Sequence, residues 1–409
     1  MDTGKKHLGT STILLIYLAL KPLYFGASGS VQICDLFLVI ATCYLIAKCR
    51  GKIRIDGGSR KVLLCFILLC IYQFIANMIW SVKTGTNMNK ATLYYVFNCI
   101  AFADFLIIAN RESKDSVKTA VSWGVGLSVL VTDLSLILIK GTSGRRTGFF
   151  NNPNQLGYFG IVAASFLLLC NEKINKKVYI FLHLSIIWIV ICSNSKAALV
   201  SLAAVYSLHV LLSGKKNSIK SVAMKLLFII AMFSAVYILL FSEIEFITSN
   251  NIISLLRYRL FNMTSENDSS LGEGRGYDRV FEMGHHIFFG MGEGAFDRFE
   301  TLRGLESHSS YITIFVSYGV VGFIIYLYLM LKSLLHKKRI INNLICYSGV
   351  LLYGLTHNGL RNTTSWMLLA FILVDSIRSY KNSESSTVML KEYHHGDVSD
   401  SIIDELPKS

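Results

Sequence analysis

The feature that most constrains this chain is a succession of twelve apolar segments, interrupted by one long polar stretch. Segments of roughly 17 to 25 apolar residues can cross the hydrocarbon core of a bilayer, about 30 Å thick, as helices. The polar stretch, 242–308, falls between the ninth and tenth segments. The pattern predicts an all-α polytopic integral membrane protein with about twelve transmembrane helices and one large extramembrane loop. The predicted spans are 10–26, 31–48, 61–81, 91–109, 118–139, 154–170, 177–192, 196–212, 221–241, 309–331, 341–356 and 362–378.

Charge supports a membrane location and argues against a nucleic-acid partner. Charged residues make up 16% of the chain, against about 25% in a typical soluble domain. The net charge is +14, but with a cytoplasmic N-terminus the lysines fall mainly in cytoplasmic connections. This is the positive-inside bias, which sets orientation and needs no ligand. The connections in question carry Lys48, Arg50, Lys52, Arg54, Arg60, Lys61, Lys173, Lys176, Lys177, Lys215, Lys216, Lys220, Lys337, Lys338 and Arg339.

The same orientation divides the chain into a membrane domain and a tail. Residues 1–379 form the membrane domain, whose first span we interpret as a retained anchor without a cleavage pattern. Loop 242–308 then lies on the outer face. The tail 380–409 is polar and of mixed charge, which predicts a disordered cytoplasmic segment. All nine cysteines lie in or beside spans, so neither a disulfide framework nor a cysteine metal site is expected.

Arginine dominates the cations of the outer face, in contrast to the lysine-rich inner connections. Its planar guanidinium suits bidentate recognition of phosphate. The alternative interpretation is an ordinary solvated loop surface. The outer arginines are Arg145, Arg146, Arg257, Arg259, Arg275, Arg279, Arg298, Arg303 and Arg361.

The segment GRRTGFFNNPNQLGYFG, Gly144 to Gly160, is the first candidate functional motif. Asn152 followed by Pro153 is a strong helix-start signal, since Asn favours the N-cap and Pro the first helical position. The motif therefore places Arg145 and Arg146 just outside a helix N-terminus, where the helix dipole also favours anions. A pair of arginines that anchors the chain at the membrane interface is the alternative.

The second motif lies where the polar loop meets the tenth span, in ESHSSYITIFVSYGVVGFIIYLYL. His308 has an unperturbed pKa that suits a general base, although a polar anchor is the simpler interpretation of a lone interfacial histidine. Gly319 and Gly322 follow in the span, and glycines three apart permit close packing of membrane helices.

Together these segments resemble the O-antigen ligase and polymerase superfamily. His308-Ser309, nine residues, then Gly319 and Gly322 match its histidine-to-glycine pattern, and the 144–160 segment matches its Arg-x-x-Gly-x-Phe-x-Asn-Pro-Asn pattern. SNSKAALVSL resembles its Ser-Arg entry to a helix, with Lys196 in place of the usual arginine. RGYDRVFEMGHHIFFGMGEGAF resembles its arginine-containing loop segment, for which Arg275 and Arg279 are both candidates. The resemblance covers about 144–330.

The resemblance implies a glycosyltransferase of the bacterial inner membrane that acts on the periplasmic face. The donor would be an oligosaccharide on undecaprenyl pyrophosphate, and a chain-length regulator protein is a conceivable partner. His308 would be the catalytic base. Arg145, Arg146, Lys196, Arg275 and Arg279 would bind the pyrophosphate. No cofactor is expected.

Three function classes stay open. The first is a polymerase that joins lipid-linked repeat units, favoured because FNNPNQLGYF looks more like polymerases. The second is a ligase that moves finished glycan onto lipid A-core. The third is a non-enzymatic flippase or transporter, which the single large loop and the missing internal repeat count against. A metal site is not expected: Glu266, Asp268 and Glu273 look like loop surface, and adjacent side chains such as His285 and His286 should diverge on a helix.

Overall fold

A computed structural model describes residues 9–26, 31–50, 52–139, 145–212, 219–241, 249–261, 273–336 and 339–379. Throughout these residues the regular structure is helical. The main helices are α1 (Thr12–Leu20), α2 (Ile33–Cys49), α3 (Gly57–Thr84), α4 (Asn89–Arg111), α5 (Lys114–Leu138), α6 (Pro153–Leu169), α7 (Lys176–Ser193), α8 (Lys196–Leu212), α9 (Ile219–Phe241), α10 (Asn251–Phe261), α11 (Arg279–Glu282), α12 (Ser310–Leu334), α13 (Ile340–Thr356) and α14 (363–379).

Each of the twelve predicted spans coincides with one of these helices, so the protein is a helical, multi-pass membrane protein. Among the described residues, α3, α4, α5, α7 and α12 are long and apolar enough to cross a membrane. Helix α1 has nine residues and therefore rises about 14 Å, short of a full crossing. The total of twelve crossings accordingly stays a prediction.

Local sequence signals set several helix starts. Asn152 caps α6 as predicted, with its side-chain oxygen accepting from the Gln155 N–H at 2.9 Å, and Pro153 occupies the first turn. Ser309 caps α12 in the same way, accepting from Ile312. Such caps satisfy backbone donors that a helix start leaves unpaired.

Helices α6 and α14 form the centre of the bundle. From Leu156 onward every residue of α6 is buried, and α14 is buried from 363 to 376. Phe371 of α14 packs against Phe105 and Phe166, and Trp366 packs against Phe66. A helix that is apolar on all of its faces belongs in the interior of a membrane bundle. The peripheral helices instead expose apolar side chains such as Ile40, Leu64 and Leu184 to the surroundings.

Helix α12 is broken at Gly319, whose backbone has φ 66° and ψ −169°. The loop segment 288–292, called here the inserted segment, fills this break. Gly292 donates to the Ser317 carbonyl at 2.7 Å, and Val321 donates to the Phe288 carbonyl at 3.1 Å. The alternative account of Gly319, close packing between helices, does not apply, because the residue contacts the backbone of the inserted segment. Gly322 does allow a close approach, since a Cβ there would lie 3.1 Å from the Tyr72 ring.

Parts of the sequence predictions lie outside the described residues. They are Gly144, Lys215, Lys216, Lys337, Lys338, the loop stretches 242–248 and 262–272 with Glu266 and Asp268, and the tail 380–409.

Candidate active site

The predicted site residue His308 opens onto a cavity of about 410 Å³. Six parts of the chain contribute to its wall: the end of α1, the starts of α2, α4 and α6, the residues before α12, and the α13–α14 connection. Amides and aromatic rings dominate, with a few charged groups. The lining is Lys21, Tyr24, Gln32, Asp35, Tyr94, Phe97, Asn98, Asn152, Asn154, Gln155, Tyr158, Glu306, Ser307, His308, Tyr353, His357, Asn358, Gly359, Arg361, Asn362 and Thr363.

His308 is held at the cavity through its backbone, which leaves the imidazole exposed to the space. Its N–H donates to the carbonyl of Arg275 at 3.2 Å. The next residue, Ser309, caps α12 and donates to the Gly354 carbonyl of α13 at 3.1 Å. The histidine is thus fixed between the loop and the end of α13, while its side chain stays accessible to a substrate.

Arg145 reaches the same region through the start of α6. Its guanidinium donates to the Asn154 side-chain oxygen at 2.9 Å and to the Ser193 carbonyl at 3.3 Å. Asn154 itself lines the cavity. The Asn-Pro-Asn segment therefore does more than begin a helix, because its second asparagine ties the arginine to the cavity wall.

Arg275 approaches from the loop side. It donates to the Thr356 carbonyl at the end of α13, at 3.3 Å, and its own carbonyl accepts from His308. Of the two alternatives, Arg275 and Arg279, it is therefore Arg275 whose backbone is hydrogen-bonded to His308.

Three of the sequence-predicted groups converge on His357, which sequence reasoning did not select. His357 lies just after α13 and lines the cavity, with its ring stacked on Tyr353 at 4.6 Å between centroids. Burial, reinforced by the nearby Arg275, His308 and Arg145, lowers the pKa of His357 to about 3. Burial is the larger cause of that shift, and the contributions of Arg275 and Arg145 show that both cations lie near His357.

Arg279 occupies a different environment, and we leave it out of the phosphate-binding set. It is 1% exposed. Its guanidinium donates to the Ser307 hydroxyl and to three loop carbonyls, those of Thr301, Leu302 and Leu305. With its donors committed and no access to the cavity, Arg279 organises the loop that carries His308.

Arg146 and Lys196, like Arg145 and Arg275, are not themselves lining residues of the cavity, but they are held differently. Arg146 donates to the Leu136 carbonyl at the end of α5 at 2.8 Å, and its N–H donates to the Cys192 carbonyl. Lys196 is the first residue of α8 and is half-buried. Of the predicted set, the structure thus brings together His308, Arg145 and Arg275.

Arg361 is a further cation of the cavity wall. It donates to Glu293 and to Glu306, each at 2.8 Å, and lies over the Tyr94 ring. Glu293 is almost fully buried and also accepts from the hydroxyls of Tyr95 and Tyr318. Burial lowers the Arg361 pKa, but the two carboxylates outweigh it and hold that pKa above its usual value. The outer-arginine pattern included Arg361, but nothing in the sequence linked it to the loop glutamates.

The first two helices contribute a lysine–aspartate pair that the sequence did not assign to the site. The ammonium of Lys21 lies 3.7 Å from Asp35, and both line the cavity. Lys21 is 6% exposed. The intramembrane acid Asp104, by contrast, accepts from Thr42 at 2.6 Å and has no place in the cavity lining.

No group of three or more potential metal ligands among His, Cys, Asp and Glu occurs within the described part of the chain. The side chain of Glu273 is among those not described. The expectation that His285 and His286 diverge was wrong, because in their tight turn the ring centroids are 3.8 Å apart. His286 also packs on Trp80.

Residues 180–327 match a family model described as O-antigen ligase, which confirms the resemblance for that region. The matched range is a little over a third of the chain. It contains Lys196, Arg275, Arg279 and His308, while Arg145 and Arg146 precede it. No curated protein matches the chain significantly.

Proposed function

We propose, from the premise that residues 180–327 form a domain of the O-antigen ligase family, that this protein is a membrane glycosyltransferase. Its donor would be an oligosaccharide repeat unit on undecaprenyl pyrophosphate, and its product a longer O-antigen or related surface polysaccharide. The reaction would occur in the His308 cavity, on the periplasmic face of the inner membrane.

In the proposed reaction an acceptor sugar hydroxyl attacks the anomeric carbon of the donor. The new C–O bond forms as the bond from that carbon to the pyrophosphate oxygen breaks, and the bonding pair leaves with the lipid pyrophosphate. His308 takes the hydroxyl proton. General-base catalysis of this kind is worth about 10²- to 10⁴-fold in rate.

Arg145 and Arg275 would stabilise the departing pyrophosphate. Negative charge grows on the leaving oxygen in the transition state, so cations fixed beforehand around it lower the barrier. Arg145 is held by Asn154, and Arg275 by the end of α13. Both are therefore positioned before substrate arrives.

The observation that carries the proposal is that His308 and His357 line one cavity, while Arg145 is bonded to the lining residue Asn154 and Arg275 to the backbone beside both histidines. An acid–base group beside a cluster of cations is what transfer from a pyrophosphate donor requires. The amides and aromatic rings around them suit a saccharide, since amides pair with hydroxyls and rings pack on apolar sugar faces.

A ligase is the second candidate, because the matched family model is described as O-antigen ligase. The two activities differ in the acceptor: a polymerase extends a lipid-linked chain, and a ligase transfers the chain to lipid A-core. We favour the polymerase on the 150–159 segment, FNNPNQLGYF. A chain-length regulator protein would then be a natural partner.

The surface glycan of a deletion strain tests the proposal. Loss of a polymerase should leave core bearing one repeat unit, and loss of a ligase should leave bare core. Complementation with the native chain should restore long glycan, while His308→Gln at equal membrane level should not. An unchanged glycan pattern in the deletion strain, with its chain lengths intact, would contradict both activities.

A further inference from the structure

A second, strongly basic cavity of about 460 Å³ lies at the end of α2 and α4. Cys49 and Asn110 line it together with five cations, and no carboxylate is among its lining. All five cations are exposed. They are Lys48, Arg50, Lys52, Arg54 and Arg111.

None of these five cations forms an ion pair with another described residue. The carboxylates nearest in sequence are engaged elsewhere. Asp56 accepts from the backbone N–H groups of Gly58 and Ser59, and Glu112 accepts from Thr10. Like charges held around one cavity repel, so a bound anion would relieve an unfavourable interaction.

This basic cavity lies at the opposite end of the bundle from the His308 cavity. Helix α2 runs from Asp35, in the wall of the His308 cavity, to Cys49, in the wall of the basic one. Fourteen helical steps separate them, or about 20 Å at 1.5 Å per residue. The basic cavity therefore cannot belong to the proposed catalytic site.

The outward side of α2, the helix that ends at the basic cavity, is apolar and exposed. Val39, Ile40 and Ile46 are each at least half exposed. The Lys48 ammonium packs over the exposed Tyr44 ring at 5.4 Å. Apolar side chains leading into a group of cations match a molecule with a hydrocarbon part and an anionic end.

We propose that the basic cavity binds the anionic headgroup of a membrane phospholipid, with the acyl chains lying along the exposed face of α2. The lysine-rich connections place it on the cytoplasmic side. Basic pockets between membrane helices on that side are suited to phosphate headgroups. If these cations served only to orient the protein in the membrane, they would need neither a concave site nor an exposed apolar surface leading to it.

Native mass spectrometry of the full-length protein in detergent tests this inference. The probes are phosphatidylglycerol, phosphatidylcholine and glycerol 3-phosphate, a headgroup without chains. We expect retention of phosphatidylglycerol well above the other two. The double variant Lys52→Gln/Arg54→Gln should weaken that binding by about tenfold or more, since each cation near an anionic lipid contributes about 1 kcal/mol.

Lys176→Gln/Lys177→Gln is the matched control, because it removes the same charge at exposed positions of α7, outside the cavity. It should leave phosphatidylglycerol binding unchanged. A second test pair, Lys48→Gln/Arg54→Gln, reproduces the effect if the cavity is the site. Melting temperatures in phosphatidylcholine check that all variants are folded. Equal loss in test and control pairs, or glycerol 3-phosphate binding as tight as the lipid, would overturn the proposal.

Discussion

His308 and His357 line the same cavity, but their surroundings give them different chemistry. The imidazole of His308 is exposed at the cavity, as the proposed role of proton acceptor requires. His357 is stacked on Tyr353 and bonded to the Thr356 hydroxyl at 3.0 Å, with its pKa lowered to about 3 by burial and nearby cations. A histidine of such weak basicity is a poor proton acceptor near neutral pH. It can still hold a sugar hydroxyl by a hydrogen bond.

The first prediction compares the two histidines as glutamine variants. His308→Gln should reduce transfer by about 10²- to 10⁴-fold, because glutamine keeps a hydrogen bond but cannot take a proton. His357→Gln should lose less than about tenfold, because only a hydrogen bond changes. The readout is glycan length and transfer rate at matched protein levels. Near-normal polymer from His308→Gln would mean that another group removes the proton.

The second prediction follows from the lowered pKa of His357. Between about pH 3 and pH 6.5 the unfolded chain binds a proton here that the folded chain does not, so stability rises with pH across that window. Going from pH 7 to pH 5 should therefore cost about 2 kcal/mol from this group. Melting temperature of the purified protein measures it.

The control for that pH dependence is His357→Asn. At pH 7 the variant should be no more stable than the native protein. Its melting temperature should fall less steeply than that of the native protein as the pH is lowered. Identical slopes for the native and variant proteins would show that another group carries the acid sensitivity.

The third prediction separates two adjacent arginines. Arg145→Lys should impair transfer although charge is kept, because lysine cannot reproduce the guanidinium fork that bonds to Asn154 and that we propose also binds phosphate. Arg146→Lys is the internal control, since Arg146 bonds to the Leu136 carbonyl and not to the cavity. Transfer rates at equal expression decide the matter. Greater loss from Arg146→Lys would reverse the assignment.

Residue types and local motifs predicted some residues of this site, but not the other residues that line the cavity with them. The placing of Arg145 before an Asn-Pro helix start, and of His308 before α12, was readable from the sequence. His357 and Lys21 carry no local signal, because each reaches the cavity only through packing of distant helices. Arg279 illustrates the opposite case. It matched the pattern of outer arginines expected to bind phosphate, yet in the structure its guanidinium donates to carbonyls of its own loop.

At the scale of elements, the main departure is the break in α12. Gly319 has a backbone conformation that essentially only glycine adopts. Gly290, on the inserted segment, lies so close that a Cβ would approach the Ser317 carbonyl oxygen within 2.4 Å. Two chain segments far apart in sequence therefore fit together only because both positions lack side chains.

The fourth prediction is that Gly319→Ala destabilises this junction. The backbone strain costs about 1–3 kcal/mol, and the added Cβ would lie 2.4 Å from the Phe288 carbonyl oxygen. Melting temperature should fall, and protease cleavage within 284–300 should accelerate. Gly57→Ala should do neither, because nothing lies within 4 Å of the Cβ it would add. Equal behaviour of the two variants would refute this account of the break.

Helix positions were predictable and the break was not, for one physical reason. Runs of apolar residues specify where backbone must be hydrogen-bonded within a membrane, and each predicted span contains a helix. A glycine pair permits both close helix packing and an unusual backbone angle. Which of these two roles Gly319 has depends on its contact with the inserted segment. That contact joins residues that are remote in sequence, so it could not be predicted from the local pattern.

At the scale of the whole molecule, the two cavities lie at opposite ends of α2. The side of the membrane that each cavity faces can therefore be tested through the topology of the chain. The fifth prediction is that a reporter fused after Ser270 reports the periplasm, while one fused after Lys176 reports the cytoplasm. The lysine-rich connections are the reason. Alkaline phosphatase and green fluorescent protein fusions measure it. A cytoplasmic signal from the Ser270 fusion would invert the topology and the assignment of both cavities.

The broken helix also limits how this protein can be recombined with its relatives. The inserted segment and α12 complete each other's backbone hydrogen bonds at Gly319. The outer loop that contains this segment therefore cannot be exchanged independently of α12. A chimera that exchanges the outer loop alone should assemble poorly, whereas one that exchanges 273–334 as a block should keep the junction intact. In evolution, too, changes in the inserted segment would have to be matched by changes in a membrane helix.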